Sequence, residues 1–148
     1  MQETETPDRA SWRVALPHTT AAVPVARALI RATLAALPRH EAGADADTAE
    51  LLTAELVANA VEHTRGERPV ELAVELTASG CQVEVHDHDP AAPGGLDPAA
   101  DHEPPDPWQE HGRGLLLVRT LSSACGHRRT ERGKAVWFTL AAPPAAPC

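Results

Sequence analysis

The sequence predicts an α+β fold, a two-layer sandwich in which three helices cover one face of a mixed, mostly antiparallel β-sheet. Two observations carry this prediction. The periodic segments follow the order β-α-α-β-β-α-β-β, and consecutive strands joined by tight turns pair antiparallel. The helical segments are apolar on one side, so they can pack on a sheet. A chain of 148 residues suits one domain with a single core.

The first half of the chain provides one strand and two helices. Residues 11–16 alternate apolar and polar side chains, the period of a half-buried strand. The pattern is helical over residues 22–37, with Pro24 near the first turn, where proline is tolerated. It is helical again over residues 47–63, after a short linker at 39–46.

The second half provides four strands and one helix. Residues 70–76 and 81–85 alternate and form a predicted hairpin. A helix is predicted over residues 115–125, and a last pair of strands over 127–131 and 135–140.

Three segments lack a periodic pattern. Residues 90–111 are rich in proline, and a loop this long in a compact domain is usually functional or disordered. Residues 1–10 are predicted to be a disordered tail and residues 142–148 a flexible one. The domain itself is therefore expected at residues 11–141.

Composition narrows the classes of function. The formal net charge of -8 argues against nucleic-acid binding, which relies on a basic surface. No apolar stretch approaches the roughly 18 residues needed to span a membrane, and the N-terminus does not resemble a signal peptide. These features favour the cytoplasm. The three cysteines are far apart, which makes a disulfide framework or a zinc cage unlikely.

Glu55 and Asn59 are the first candidate site residues. They stand one helical turn apart and therefore share a face of the second helix. A carboxylate can act as a base, and an amide oxygen can bind a hard cation such as Mg²⁺. A solvated polar face would explain the same pair, although Asn59 is a poor helix former in a helix rich in Ala, Leu and Val.

Asp87 is the second candidate, at the point where a strand enters the long loop. A carboxylate there can accept a hydrogen bond from a ligand's amino group, although a strand-ending turn rich in Asp and Pro explains it equally well. Nearby histidines at 86, 88, 102 and 111 allow a metal-binding interpretation, but they match no compact ligand spacing.

The third candidate is Gly112-Arg-Gly114, immediately before the third predicted helix. Glycines let a ligand approach the backbone, and the free N–H groups of a helix start favour an anion such as phosphate. Arg113 could add a charge-assisted contact. A lone G-x-G is weak evidence by itself.

Four stretches together resemble the Bergerat-type ATP-binding fold of gyrase, histidine kinases, MutL and the ninety-kilodalton heat-shock chaperones (the GHKL group). Residues 55–63 look like the N box, residues 85–87 like the first glycine box, residues 112–118 like the second, and residues 133–137 like the terminal strand motif. The likeness is greatest to the small anti-sigma factor serine/threonine kinases of bacteria.

This resemblance implies a role for each candidate residue. Glu55 would be the general base toward a substrate hydroxyl, and Asn59 would coordinate the Mg²⁺ that bridges the phosphates of ATP. Asp87 would accept a hydrogen bond from the adenine amino group, and residues 90–111 would form a lid. The nucleotide would also be bound at the start of the third helix, by Gly112, Arg113, Gly114 and Leu115.

One residue departs from the family pattern: Asp89 stands where the first glycine box usually has glycine. The resemblance implies a kinase that phosphorylates a serine on an anti-anti-sigma (STAS-type) partner and has a sigma factor as its second partner, with homodimerisation possible. One alternative is a non-catalytic module that sequesters its partner and has a degenerate nucleotide site. Another is a histidine-rich metal binder.

Overall fold

The computed structural model describes residues 10–36, 46–64, 66–77, 80–91 and 110–141. The elements, in chain order, are β1 (Ala10–Leu16), α1 (Ala22–Ala35), α2 (Ala46–His63), β2 (Val70–Thr77), β3 (Gly80–Asp87), α3 (Glu110–Leu121), β4 (Ala124–Arg129) and β5 (Lys134–Ala141). Residues 1–9 of the predicted N-terminal tail, the C-terminal tail at 142–148 and nearly all of the predicted lid lie outside the described residues. Ala10, predicted to end the tail, instead begins β1, and the last two residues of the predicted lid begin α3.

The five strands form one open sheet in the order β1-β2-β3-β5-β4. Every strand pairing among the described residues is antiparallel. The predicted α+β sandwich is thus confirmed, and its sheet is antiparallel throughout. Because β3 lies at the centre, its last residue, Asp87, emerges between β2 and β5 and away from either edge of the sheet.

The alternating sequence of the strands places the core on one face of the sheet. Along β2, every second side chain is buried, beginning with Val70. Apolar residues from all three helices join this face in a single core. Its largest fully buried members are Phe138, Ile30, Leu52, Leu56, Leu72 and Leu115. The helices therefore cover one face of the sheet, as predicted, and none in the described part of the chain is long and apolar enough to cross a membrane.

Helix α2 lies between α1 and α3 and packs on β3, which makes it the central helix. An ion-pair cluster fixes it to α1. The buried carboxylate of Glu50 accepts hydrogen bonds from Arg27 Nε at 3.0 Å and from Arg31 Nε at 2.9 Å. The two guanidinium groups outweigh desolvation and lower the pKa of Glu50. The cluster therefore fixes the rotation of α2, and with it the direction of the Glu55 face.

We expect a Glu50→Gln substitution to lower the free energy of unfolding at neutral pH. A carboxyl group with a depressed pKa in the folded state stabilises the fold above its unfolded pKa, near 4.5, and loses that contribution as the pH falls. The stability difference between wild type and variant should therefore be full at pH 7 and shrink on acidification. Urea unfolding at several pH values measures it.

Glu71→Gln is the matched control for this experiment. Glu71 also pairs with an arginine, Arg13, but both side chains are substantially exposed, at 40% and 61%. Exposed pairs contribute about 0–1 kcal/mol. An equal loss of stability in the two variants would show that the burial of Glu50 is unimportant.

Two predicted elements shift in the structure. Helix α3 begins at Glu110 and ends at Leu121, earlier than the predicted 115–125, and β4 occupies Ala124–Arg129 instead of 127–131. The cause is local. The Ser122 amide and hydroxyl both donate to Val118 O, which closes the helix. The Ser123 amide donates to Thr139 O, which brings the chain onto β5 at once.

Trp137, in β5, lies outside the core. It pairs in register with Glu84 and Gly126, on the sheet face opposite the helices. Strand alternation gives the core position to its neighbour Phe138, which is fully buried. The indole instead lies against Gly126, where an added Cβ would stand 3.0 Å from Trp137 Cζ2.

Candidate functional site

Helix α2 carries Glu55 and Asn59 on the side turned away from α1. Both side chains are partly exposed, whereas Leu56 and Val57 between them are buried in the core. A hydrogen bond joins the residues that follow α2 and β1, because His18 Nε2 and Thr64 Oγ1 are 2.8 Å apart. The apolar periodicity of α2 thus leaves one polar stripe available to a ligand.

The environment of Glu55 suits a proton acceptor. Partial burial disfavours its charged form, and the nearby carboxylate of Glu62 repels it, so the pKa of Glu55 is raised. A carboxylate with a raised pKa is a stronger base than an ordinary glutamate. Both causes follow from the position of Glu55 in α2. Glu55 lies two helical turns before Glu62, and its side chain is only partly exposed.

Asp87 ends the central strand on the helix-covered side of the sheet and is 4% exposed. Its carboxylate accepts hydrogen bonds from the Asp89 amide at 2.8 Å and from Lys134 Nζ at 3.2 Å. Desolvation raises the pKa of Asp87 despite these two contacts. The predicted adenine acceptor is therefore a buried carboxylate beneath the layer that carries Glu55.

Gly133 makes this arrangement possible, because β5 starts directly against the end of β3. A Cβ at Gly133 would lie 2.1 Å from Asp87 O and 2.7 Å from the Cα of His88. These are backbone atoms, which cannot move aside as a flexible side chain can. Only glycine allows the two strands to approach closely enough for Lys134 to reach Asp87.

We expect Gly133→Ala to lower the free energy of unfolding by about 1–3 kcal/mol or more, since overpacking forces backbone shifts. The substitution should also weaken nucleotide binding, because the new methyl group would displace the end of β3, where Asp87 lies. Thermal unfolding and ATP titration measure the two effects. Gly126→Ala is the control: the three atoms nearest its new methyl group all belong to the Trp137 side chain, on the opposite sheet face. Similar ATP affinities in the two variants would contradict this role of Gly133.

The predicted phosphate-binding residues lie at the start of α3, which packs against α2. Because α3 begins at Glu110, Gly112, Arg113 and Gly114 belong to its first turns instead of preceding it. The Leu115 side chain is 1% exposed and belongs to the core. Leu115 therefore has a packing role, and as the sixth residue of α3 it lies past the free N–H groups of the helix start.

A separate polar cluster lies on the other face of the sheet, around Glu84. This carboxylate accepts hydrogen bonds from Gln82 Nε2 at 2.6 Å and Arg128 Nη2 at 2.7 Å, and it lies 2.9 Å from His86 Nε2. These contacts, with His86 the largest, hold the pKa of Glu84 far below its usual range. The cluster borders an open groove of about 550 Å³.

The metal-binding interpretation of the histidines finds no geometric support in the described residues. His86 is engaged by Glu84, whereas the buried Nδ1 of His88 has no hydrogen-bond partner. Within the described ranges, no group of three His, Cys, Asp or Glu side chains could hold a metal ion. Residue 102 and the side chain of residue 111 lie outside them.

Lys134 is the site residue that the sequence prediction missed. Its Nζ is 3.1 Å from Asp87 Oδ2 and donates to Asp89 O at 2.9 Å, and the residue is 4% exposed. The available signal was its position at the head of a buried strand, where a lysine needs a partner. The pairing of Lys134 with Asp87 depends on the β3–β5 register, which no local pattern reveals.

Comparison with known proteins identifies the fold. The sequence profile of a family described as "Histidine kinase-like ATPase domain" matches residues 16–140. No curated protein matches the chain. A similar solved structure is that of the RsbU and RsbW domains of Rv1364c from Mycobacterium tuberculosis, with a TM-score of 0.62 and 21% sequence identity. The match covers 90% of this chain but only 33% of that one.

Proposed function

This chain belongs to the histidine kinase-like ATPase domain family, and from that premise we propose that it is an ATP-dependent protein serine/threonine kinase of the anti-sigma factor type. Its substrate would be a serine or threonine hydroxyl on an anti-anti-sigma (STAS-type) protein, and a sigma factor would be its second partner. The domain would be residues 11–141, acting in the cytoplasm with residues 90–111 as a lid.

The observation that carries this proposal is the buried Asp87 carboxylate, at the end of the central strand and beneath the helix that bears Glu55 and Asn59. A buried carboxylate needs donors for its remaining lone pairs, and an exocyclic amino group of a purine is such a donor. The charge of Asp87 disfavours ligands that present only acceptors at this point. The geometry therefore supports a nucleotide with an amino-bearing base.

The available groups also fit magnesium. Mg²⁺ prefers oxygen ligands and is usually held by few protein groups together with substrate phosphates. The Asn59 amide oxygen, partly exposed on α2, is such a ligand, and the first turns of α3 would receive the phosphates. When bound, the cation neutralises charge that develops on the phosphates during transfer.

In the proposed reaction, the substrate hydroxyl oxygen forms a bond to the γ-phosphorus as the bond from that phosphorus to the β–γ bridging oxygen breaks. ADP leaves with that bridging oxygen. The hydroxyl proton passes to the Glu55 carboxylate. Such transfers depend mainly on positioning and electrostatics, which requires few protein groups.

Transfer of labelled phosphate tests the proposal. The purified protein is incubated with Mg²⁺, γ-labelled ATP and each STAS-type protein encoded in the same genome, and the products are mapped by mass spectrometry. The proposal predicts phosphoserine or phosphothreonine on one of these proteins and no label when that residue is replaced by alanine. Stable binding of such a partner with no phosphorylation would favour the non-catalytic sequestering module instead.

A further inference from the structure

The Lys134–Asp87 pair is unusual because both members are almost fully buried, with side-chain exposures of 5% and 2%. Burying two charges costs free energy, and apolar residues of similar volume often stabilise a core equally well or better. The pair also stands where the proposed site would receive the base. Its position therefore points to a ligand.

The contacts of Lys134 show what the pair does. Lys134 Nζ spans both oxygens of the Asp87 carboxylate, at 3.2 Å and 3.1 Å, and donates to Asp89 O. The Asp89 amide donates in turn to Asp87 Oδ1. The ammonium group thus joins the carboxylate to the turn that follows β3, orients the Asp87 carboxylate and favours its charged form.

We propose that Lys134 is a positioning residue for base selection: it holds Asp87 as an oriented carboxylate, so that the site accepts a purine that donates from an exocyclic amino group. This inference rests on the proposed function. A carboxylate can only accept hydrogen bonds, whereas a carboxylic acid can also donate one to a 6-oxo group. Whether Asp87 carries a proton therefore decides which base is bound.

The groups acting on Asp87 give the direction of the effect. Burial raises the pKa of Asp87 and so does the negative charge of Asp89, while Lys134 and the Asp89 amide lower it. Arg129, the register partner of Lys134, is exposed. Without the Lys134 charge, burial and the negative charge of Asp89 still raise the pKa of Asp87, and only the Asp89 amide still lowers it. Asp87 should then hold its proton at pH values where the wild type does not.

Lys134→Met removes the charge and keeps most of the volume, and ATP and ITP are the two probes, because ITP has a 6-oxo group in place of the amino group. Calorimetry between pH 6 and pH 9 measures both affinities. Wild type should prefer ATP throughout. In the variant, ATP should bind more weakly than in the wild type at the acidic end of this range, by up to about 10- to 100-fold, the loss expected for one charged hydrogen bond, and the affinity should recover as the pH rises. ITP should gain affinity at low pH.

Asp87→Asn combined with Lys134→Met covers the case in which the single variant does not fold, since the double variant leaves no unpaired buried charge. An amide presents both an acceptor and donors, so this protein should bind ATP and ITP about equally at every pH. A persistent preference for ATP in either variant, independent of pH, would overturn the inference while leaving the proposed function intact. Wild-type protein that binds neither nucleotide would contradict the proposed function itself.

Discussion

Glu55→Gln should reduce phosphoryl transfer by about 10²- to 10⁴-fold, the usual contribution of a positioned general base. ATP affinity should stay within about twofold of the wild-type value, since the proposed contacts with the base and phosphates involve Asp87, Asn59 and α3. Glutamine preserves the shape of the side chain and removes only its capacity to take a proton. Single-turnover transfer and ATP titration on the same preparation separate the two effects.

Glu62→Gln is the matched control and adds a test by pH. The Glu62 carboxylate is one of the two causes that raise the pKa of Glu55. Removing it should lower that pKa, so the acid limb of the rate profile should move to lower pH while the plateau rate is retained. An unchanged acid limb, or full activity in Glu55→Gln, would show that Glu55 is not the base.

Asn59→Ala should abolish the dependence of ATP binding on magnesium while the fold survives. Alanine is the better helix former and Asn59 is partly exposed, so α2 should tolerate the change. Loss of one charge-assisted ligand weakens binding by about 10- to 100-fold. We therefore expect the affinity measured with magnesium to fall toward the value measured with a chelator.

Asn59→Asp provides the comparison, because it keeps an oxygen ligand at the same position. Magnesium dependence should survive in this variant, and its far-ultraviolet circular dichroism should match that of Asn59→Ala. If ATP affinity in Asn59→Ala equals the wild-type affinity, the assigned metal role is wrong.

The fold was predictable because each strand and helix has a clear period. Alternation in residues 70–76 and 81–85 predicted a hairpin that the structure confirms and extends to Thr77 and Asp87. The end of α3 and the start of β4 were not predictable, because the hydrogen bonds of Ser122 and Ser123 decide them, whereas Leu121 and Cys125 continue a helical spacing of apolar residues past the point where α3 ends. The outward position of Trp137 follows from the alternation along β5, whereas its packing against Gly126 depends on the β4–β5 register, which is a tertiary property.

The candidate site was predictable only where its residues share one element. Glu55 and Asn59 are placed on one face of α2 by helical spacing alone. Asp87 was identified from its place at a strand end, but its pairing with Lys134 joins residues 47 positions apart. The need for glycine at position 133 is likewise invisible without the neighbouring backbone. Their roles toward a nucleotide remain predictions.

Calorimetric titration of the wild-type protein with ATP, in magnesium and in chelator, tests the central claim most directly. The claim is that α2, the end of β3 and the start of α3 form one nucleotide site. It predicts saturable binding with one nucleotide per chain, tighter in magnesium than in chelator. No binding at millimolar ATP under either condition would contradict it and leave a partner-binding module with a degenerate site.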